Sequence, residues 1–220
     1  MKILVLSDTH LTPRFEQKKF DFLENIIQKS DSVIINGDFW DGYLSSFEHF
    51  IDSPWKKLFP PLKKKNSIYI YGNHDAESFS DKKELKKFSA EQLDSYSINI
   101  DGSKYVIEHG HRLFRNGEKI PRIITKTARF NTKVIDVIEY SASNTSYQIF
   151  NLTLSVLNTS IKKKLKKFSK PNVRYIFGHT HAQELDLENQ FINTGFSKHG
   201  FAEYMWLDEN GPKLFHERYR

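Results

Sequence analysis

The sequence predicts an α/β sandwich, and three observations lead to that prediction. Short apolar runs rich in β-branched residues recur along the chain, a segment with helical periodicity separates the first two, and each run ends in polar residues. Continuous apolar strands are typical of a sheet that is covered on both faces. In sheets of this kind, ligands bind beyond the carboxyl ends of the strands.

The predicted elements follow one another in a regular order. The five strands that end in polar residues are Ile3–Asp8, Ser32–Asp38, Ser67–Asp75, Tyr105–His111 and Arg174–His181. Between the first two, the segment FDFLENIIQ places apolar residues at helical spacing and predicts a crossover helix. Three later strands, at Phe191–Asn193, Ala202–Leu207 and Lys213–Tyr219, are expected to complete a second sheet.

The stretch from about residue 112 to residue 171 differs from the rest of the chain. It has few turn signals, and Leu154, Ile161 and Leu165 repeat with helical spacing. We therefore predict a single domain over residues 1–220, with a helical, lid-like insertion at about 112–171. A chain of 220 residues, 38% of them hydrophobic, can form one core of this kind.

The composition limits both the chemistry and the location. The chain has no cysteine, so thiolate metal sites and cysteine nucleophiles are excluded, and any metal must be held by His, Asp, Glu or Asn. No apolar run approaches the roughly 20 residues that a membrane-spanning helix needs. The first ten residues predict a buried strand and lack the apolar stretch of a secretory signal. We expect a cytoplasmic protein, with peripheral contact at a membrane surface as an open alternative.

Polar residues with metal-binding capacity follow each of the five strands. Seven are candidate ligands: Asp8, His10, Asp38, Asn73, His109, His179 and His181. Side chains two apart on a strand point to the same side, so Asp8 and His10 can bind one ion. A set of imidazole, carboxylate and amide groups suits Mn, Fe, Zn, Co or Ni better than Ca or Mg. Seven ligands exceed the needs of one ion, and the Asp38 carboxylate can bridge two.

Each cluster alone has a structural alternative. Asp8 can cap a helix, Asp38 and Asn73 can stabilise tight turns, and paired histidines can lie on the surface. The ordered recurrence of all five clusters favours a metal site. Their motifs, DTH, GDFWDG, GNHD, HGH and GHTH, resemble those of the calcineurin-like metallophosphoesterase superfamily over the chain outside the insertion.

That resemblance implies a four-layer α-β-β-α sandwich and two divalent transition metal ions, with Mn²⁺ as the first candidate. It assigns one ion to Asp8, His10, Asp38 and His181, and the other to Asp38, Asn73, His109 and His179. In the superfamily, a water or hydroxide between the metals attacks phosphorus, and the metals neutralise the developing charge.

Three further residues have expected roles: those of His74 and Asp41 follow from the same resemblance, and that of His111 follows from its position at the same strand end as His109. His74 is the group that protonates the leaving oxygen or stabilises the transition state, with support of the ligands as the alternative. Asp41 orients His74, or else caps a helix that begins near residue 44. His111 contacts either the substrate or the insertion. Gly42 occupies the position where phosphoprotein phosphatases carry a phosphate-binding arginine, which argues against that class.

Within the superfamily, the chain resembles the UDP-2,3-diacylglucosamine pyrophosphatase type in its length, its insertion and its tail FINTGF. That type usually carries GNRD and HGD, whereas this chain has GNHD and HGH. The predicted function is a dinuclear metal-dependent hydrolase of a phosphodiester, a phosphomonoester or a pyrophosphate, with a nucleotide-linked lipid as one substrate. The alternatives are a nucleic-acid phosphodiesterase and a non-catalytic scaffold on the same fold, as in the retromer subunit that resembles these enzymes.

A tract of lysines accounts for the net charge of +6. Its six members are Lys162, Lys163, Lys164, Lys166, Lys167 and Lys170. On a helix, Ile161, Leu165 and Phe168 share one side, as in a basic helix that lies on a membrane. Contact with anionic lipid, contact with a nucleotide or nucleic acid, and a simple solvated face remain three alternatives.

Overall fold

The structure is a computed structural model that describes residues 1–114 and 125–219, and for residues 125–132 and 135 only the backbone. Its strands are β1 (Ile3–Leu6), β2 (Ser32–Asn36), β3 (Ile68–Ile70), β4 (Glu91–Leu93), β5 (Ser95–Ile100), β6 (Ser103–Glu108), β7 (Val173–Phe177), β8 (Glu184–Asp186), β9 (Phe191–Asn193), β10 (Phe201–Asp208) and β11 (Gly211–Arg218). Its α-helices are α1 (Gln17–Gln28), α2 (Phe47–Asp52), α3 (Phe59–Lys64), α4 (Lys82–Leu85), α5 (Thr125–Thr145) and α6 (Tyr147–Leu165).

Two mixed sheets form the centre of the molecule. One has the order β11-β10-β1-β2-β3-β4, in which β1 to β4 are parallel neighbours and β10 runs antiparallel to β1. The other has the order β5-β6-β7-β9-β8, in which β6, β7 and β9 are parallel. The carboxyl ends of β1, β2 and β3 therefore lie at one edge of the first sheet, and those of β6 and β7 at one edge of the second.

Three apolar clusters separate four layers. Alternate residues of β1 point to opposite faces, so Leu4 packs with Leu23 of α1 on one side of the first sheet. Val5 packs on the other side, between the sheets, with Ile107 of β6. Ile161 of α6 covers the outer face of the second sheet. The predicted α-β-β-α order is confirmed.

The predicted sheet assignment of two strands was wrong. The strands expected at 202–207 and 213–219 lie in the first sheet as β10 and β11, where Leu4 pairs with Trp206. Along β10, Met205 enters the core between the sheets and Tyr204 enters the core beneath the helices. The apolar pattern predicts a strand that is buried on both faces, but it does not specify which sheet edge the strand joins.

Helices α5 and α6 lie within the stretch expected as an insertion, and they pack against each other. The apolar side of the lysine tract faces the core, since Ile161 and Leu165 are buried against the second sheet. Lys162 pairs with Glu184 and Asp186 at 2.6 and 2.8 Å. Two residues of the stripe proposed for a membrane surface are thus part of the fold, whereas its third member, Phe168, is 45% exposed. An anionic partner for the other lysines stays a prediction.

None of the helices within residues 1–114 and 125–219 combines the length and the apolar character that crossing a bilayer requires.

Candidate metal centre

The candidate ligands lie in the loops that directly follow β1, β2, β3, β6 and β7. Five of them have a left-handed backbone, with φ of 52° at Asp8, 43° at His10, 52° at Asp38, 68° at His179 and 58° at His181. A positive φ is uncommon for residues other than glycine, and such strain concentrates at functional sites. The strands themselves end earlier, at Leu6 and Phe177. Asp8 and His10, and likewise His179 and His181, therefore lie beyond the strands and point to one side because each has a left-handed backbone. The prediction that strand alternation brings them together was wrong.

One group of side chains brings together Asp8, His10 and His181. The two Nε2 atoms of His10 and His181 lie 3.2 Å apart, and His181 Nε2 lies 3.3 Å from Asp8 Oδ1. His10 Nε2 is also 3.8 Å from Asp38 Oδ2. Facing imidazole nitrogens beside a carboxylate are a donor arrangement suited to a cation.

A second group brings together Asp38, His109 and His179, whose ligand atoms lie within 4.8 Å of one another. His109 Nε2 is 3.2 Å from Asp38 Oδ2. The Nδ1 of His109 lies 2.8 Å from the carbonyl oxygen of Asn36, so Nδ1 carries the hydrogen and donates it. In the neutral ring, Nε2 is then the bare nitrogen that a metal ion requires, and a bound ion would take the place of the second proton.

Asp38 lies in contact with both groups, and its neighbours fix its orientation. Its Oδ1 accepts a hydrogen bond from the backbone N–H of His74 at 2.8 Å, while Oδ2 faces the histidines. Asn73 precedes His74 in the same loop. Among the described residues, no donor is well aligned for a hydrogen bond to the buried oxygens Asp8 Oδ1 and Asn73 Oδ1. Buried oxygens are normally satisfied, so these two fit coordination to metal ions.

Two glycines allow the loops to approach this closely. A Cβ atom at Gly178 would stand 2.5 Å from Asp8 Oδ2, and one at Gly72 would stand 2.5 Å from the backbone nitrogen of Asp38. Any side chain at these positions would push a candidate ligand away.

The carboxylates of the centre attract positive charge. Burial alone would raise the pKa of Asp8, but His109 and His181 outweigh it and lower the pKa to about 2. In the same way, His109 and His74 hold the pKa of Asp38 well below its usual value despite burial. Burial would lower the pKa of His109, but Asp38 and Asp8 raise it to about 9. Two ionised carboxylates therefore favour a cation at this position.

Two other histidines of the centre are held neutral. Burial, followed by repulsion from His109, lowers the pKa of His179 to about 3. Burial and the neighbouring His74 lower the pKa of His10 to about 4. A neutral imidazole is the form that binds metal, because its lone pair is available.

Asp41 contacts His74 as the resemblance implies, and it also stabilises a turn. Asp41 Oδ1 lies 3.1 Å from His74 Nδ1 and accepts the N–H groups of Tyr43 and Leu44. One side chain can therefore both contact His74 and stabilise the turn that follows it. Asp41 does not cap a helix, because α2 begins only at Phe47. Gly42 donates its N–H to the carbonyl oxygen of His74 at 2.8 Å.

His111 lies on a short 3-10 turn and is only 4% exposed. Its ring centre is 5.5 Å from that of His109 and 6.3 Å from that of His179. Contact of His111 with a substrate stays a prediction, and its burial favours the packing alternative.

Two carboxylates at the centre were not identified from the sequence. Asp75, the last residue of GNHD, accepts the N–H groups of Asp38, Phe39 and Gly72, and so joins two ligand loops. Its position as the last residue of a motif that contains a candidate ligand was a signal. Glu139 of α5 lies 3.0 Å from Nδ1 of His181, and no motif surrounds it in the sequence.

Comparison with known proteins identifies the family and relates the fold to solved structures. A curated relative, a UDP-2,3-diacylglucosamine hydrolase of Psychromonas ingrahamii (strain DSM 17664 / CCUG 51855 / 37), is 31% identical over 122 residues, which is 51% of this chain and 49% of that protein. The chain thus spans about half the length of the curated relative it matches. A solved structure of an archaeal phosphodiesterase has a similar fold, with a TM-score of 0.53 and 23% identity over 99% of this chain and 100% of that one. The calcineurin-like phosphoesterase family model matches residues 1–183, and the chain therefore belongs to that family.

Proposed function

We propose that the protein hydrolyses a phosphodiester or pyrophosphate bond with two divalent cations held at the centre described above. The observation that carries the proposal is the position of Asp38. Its Oδ2 lies 3.2 Å from His109 Nε2 and 3.8 Å from His10 Nε2, so one carboxylate contacts both groups of candidate ligands. A shared carboxylate between two clusters is the arrangement of two-metal hydrolytic sites.

The proposed ligands divide between two positions. Asp8, His10, Asp38 and His181 hold one ion, and Asp38, Asn73, His109 and His179 hold the other. Mn²⁺ is the first candidate and Fe, Zn, Co or Ni are alternatives, because the donors mix nitrogen and oxygen. When bound, such ions supply Lewis acidity and lower the pKa of water.

His74 is the proposed proton donor to the leaving oxygen. Its ring lies at the centre, with its centroid 4.5 Å from that of His10. Burial opposes the protonated form, but the carboxylates of Asp41 and Asp38 outweigh it and raise the pKa of His74. Because Asp41 contacts Nδ1, the ring is held with Nε2 available to carry the second proton.

An open cleft beside the centre supports a bulky anionic substrate. It has a volume of about 930 Å³ and reaches from His10 and Asp41 to Arg14, Lys18 and Tyr140. Within residues 1–114 and 125–219, neither Arg14 nor Lys18 forms an ion pair. Cations and an aromatic ring suit a nucleotide-linked group, and the partial relative named above hydrolyses such a compound. A single-stranded nucleic acid is the second substrate class that this cleft suits.

A substrate panel with Mn²⁺ tests the proposal. It contains p-nitrophenyl phosphate, bis-p-nitrophenyl phosphate, a nucleotide sugar and single-stranded DNA. We expect hydrolysis of at least one diester or pyrophosphate, its loss in Asp38→Ala, and a decrease of about 100-fold in His74→Ala. Asp101→Asn, on an exposed turn between β5 and β6, is the control. Full activity of Asp38→Ala would refute the proposal.

A further inference from the structure

Both helices of the insertion contact the loop that carries His179 and His181. Asn158 of α6 is completely buried, and its Oδ1 accepts the hydroxyl of Thr180 at 2.6 Å. Its Nδ2 donates to the carbonyl oxygen of Ala182 at 2.9 Å. The residue between the two histidines and the residue after them are therefore fixed by one side chain of α6.

Helix α5 contacts the same loop through Glu139. Glu139 Oε1 lies 3.0 Å from His181 Nδ1, on the opposite side of the ring from Nε2, which faces Asp8 Oδ1 at 3.3 Å. The side chains of Glu139 and His181 are 14% and 13% exposed. A carboxylate that accepts the Nδ1 hydrogen fixes both the tautomer and the ring orientation, so that Nε2 is directed towards a metal ion.

Lys198 holds Glu139 in this position. Its ammonium group lies 3.5 Å from Glu139 Oε2 and 2.6 Å from Asp136 Oδ1, and its side chain is 13% exposed. Asp136, Glu139 and His199 have the spacing of a further metal site. The Lys198 ammonium already supplies the positive charge between the two carboxylates, which argues against a third ion.

We propose that Glu139 is a positioning residue for His181, and that α5 and α6 thereby form part of the metal centre. The inference rests on the proposed role of His181 as a ligand. It assigns the insertion a function beyond covering the site: docking of α5 and binding of the ion at His181 favour each other. Because such coupling is reciprocal, each equilibrium shifts by the same factor.

Mn²⁺ binding to purified protein, measured by calorimetric titration, tests the role of Glu139. We expect Glu139→Ala to weaken one of two Mn²⁺ sites by about 10- to 100-fold. Glu139→Gln keeps an oxygen that accepts the Nδ1 hydrogen, so it should restore most of the affinity. Asp136→Asn is the matched control, since Asp136 shares Lys198 but does not contact His181 within the described chain; we expect little change there. Equal affinity in Glu139→Ala and the wild type overturns the inference.

Hydrogen exchange on the unmodified protein gives a second test that does not depend on how the variants fold. Saturating Mn²⁺ should slow amide exchange in residues 136–144 of α5 by a factor similar to the loss of affinity in Glu139→Ala. Unchanged exchange in α5, with two ions bound, contradicts the coupling. A wild-type protein that binds no Mn²⁺ would instead contradict the proposed function, so the two failures are distinguishable.

Discussion

Asp41 Oδ1 lies 3.1 Å from Nδ1 of His74, and both side chains are largely shielded from water. The other oxygen of the same carboxylate lies 3.5 Å from Nδ1 of His10. One carboxylate therefore contacts both a candidate metal ligand and the proposed proton donor. Its own pKa is lowered, because His74 and His10 outweigh the effect of burial. Asp41 is thus ionised at neutral pH and stabilises the protonated form of His74.

Replacing Asp41 by Asn tests this relationship. The amide oxygen still accepts hydrogen bonds from the turn, but the negative charge that raises the pKa of His74 is lost. His74 must be protonated to act as the acid, so activity falls as the pH rises through its pKa. We expect kcat to decrease by about tenfold or more, and the alkaline limb of the pH profile to move to lower pH. An unshifted alkaline limb, with two Mn²⁺ bound, would contradict the role of Asp41.

Lys19 should make stability depend on pH. It is 3% exposed and donates to the carbonyl oxygen of Thr9 at 2.6 Å. Burial lowers its pKa from 10.5 to about 7, although Glu16 opposes the shift. Between these values the unfolded chain binds the proton more strongly, so the free energy of unfolding contributed by Lys19 rises with pH.

The measurement compares wild type and Lys19→Met in urea without metal, from pH 7 to pH 10. Loss of the hydrogen bond to Thr9 lowers the variant's free energy of unfolding by the same amount at every pH. Loss of the titrating group instead changes how the free energy of unfolding varies with pH. The difference in free energy of unfolding, wild type minus variant, should grow as the pH rises. Parallel curves would show that the Lys19 ammonium is not destabilised by burial.

Lys162 and Lys163 should differ in their effect on stability, although they are neighbours in the lysine tract. Lys162 is 19% exposed and pairs with both Glu184 and Asp186, whereas Lys163 is exposed. We expect Lys162→Gln to lower the free energy of unfolding by about 1 kcal/mol and Lys163→Gln to leave it unchanged. Urea denaturation measures both. Equal changes in the two variants would mean that the ion pairs of Lys162 add nothing to the free energy of unfolding.

The parts of the fold that depend on local pattern could be predicted from the sequence. Apolar runs that end in polar residues identified β1, β2, β3, β6 and β7, and the motifs identified the family that the comparisons confirm. The sheet joined by β10 could not be predicted, because both sheet edges accept a strand that is apolar on both faces. Pairing between β1 and β10 depends on the shape of the whole core.

The candidate site, like the fold, could be predicted from the sequence only where it depends on local pattern. The residues in the strand-end motifs are close together in sequence, so their chemistry was visible there. The left-handed backbone at Asp8 and His181 could not be predicted from the sequence, since neither residue type requires it. Glu139 lies 42 residues from its partner His181, on a helix without a motif, so only the folded chain brings the two together.

The most direct test of the two-metal account is anomalous diffraction from crystals grown with Mn²⁺. We predict two manganese peaks about 3.5 to 4 Å apart, one on each side of the Asp38 carboxylate. One peak would be adjacent to His10 and His181, and the other adjacent to His109 and His179. A single peak, or manganese located away from Asp38, would contradict the account.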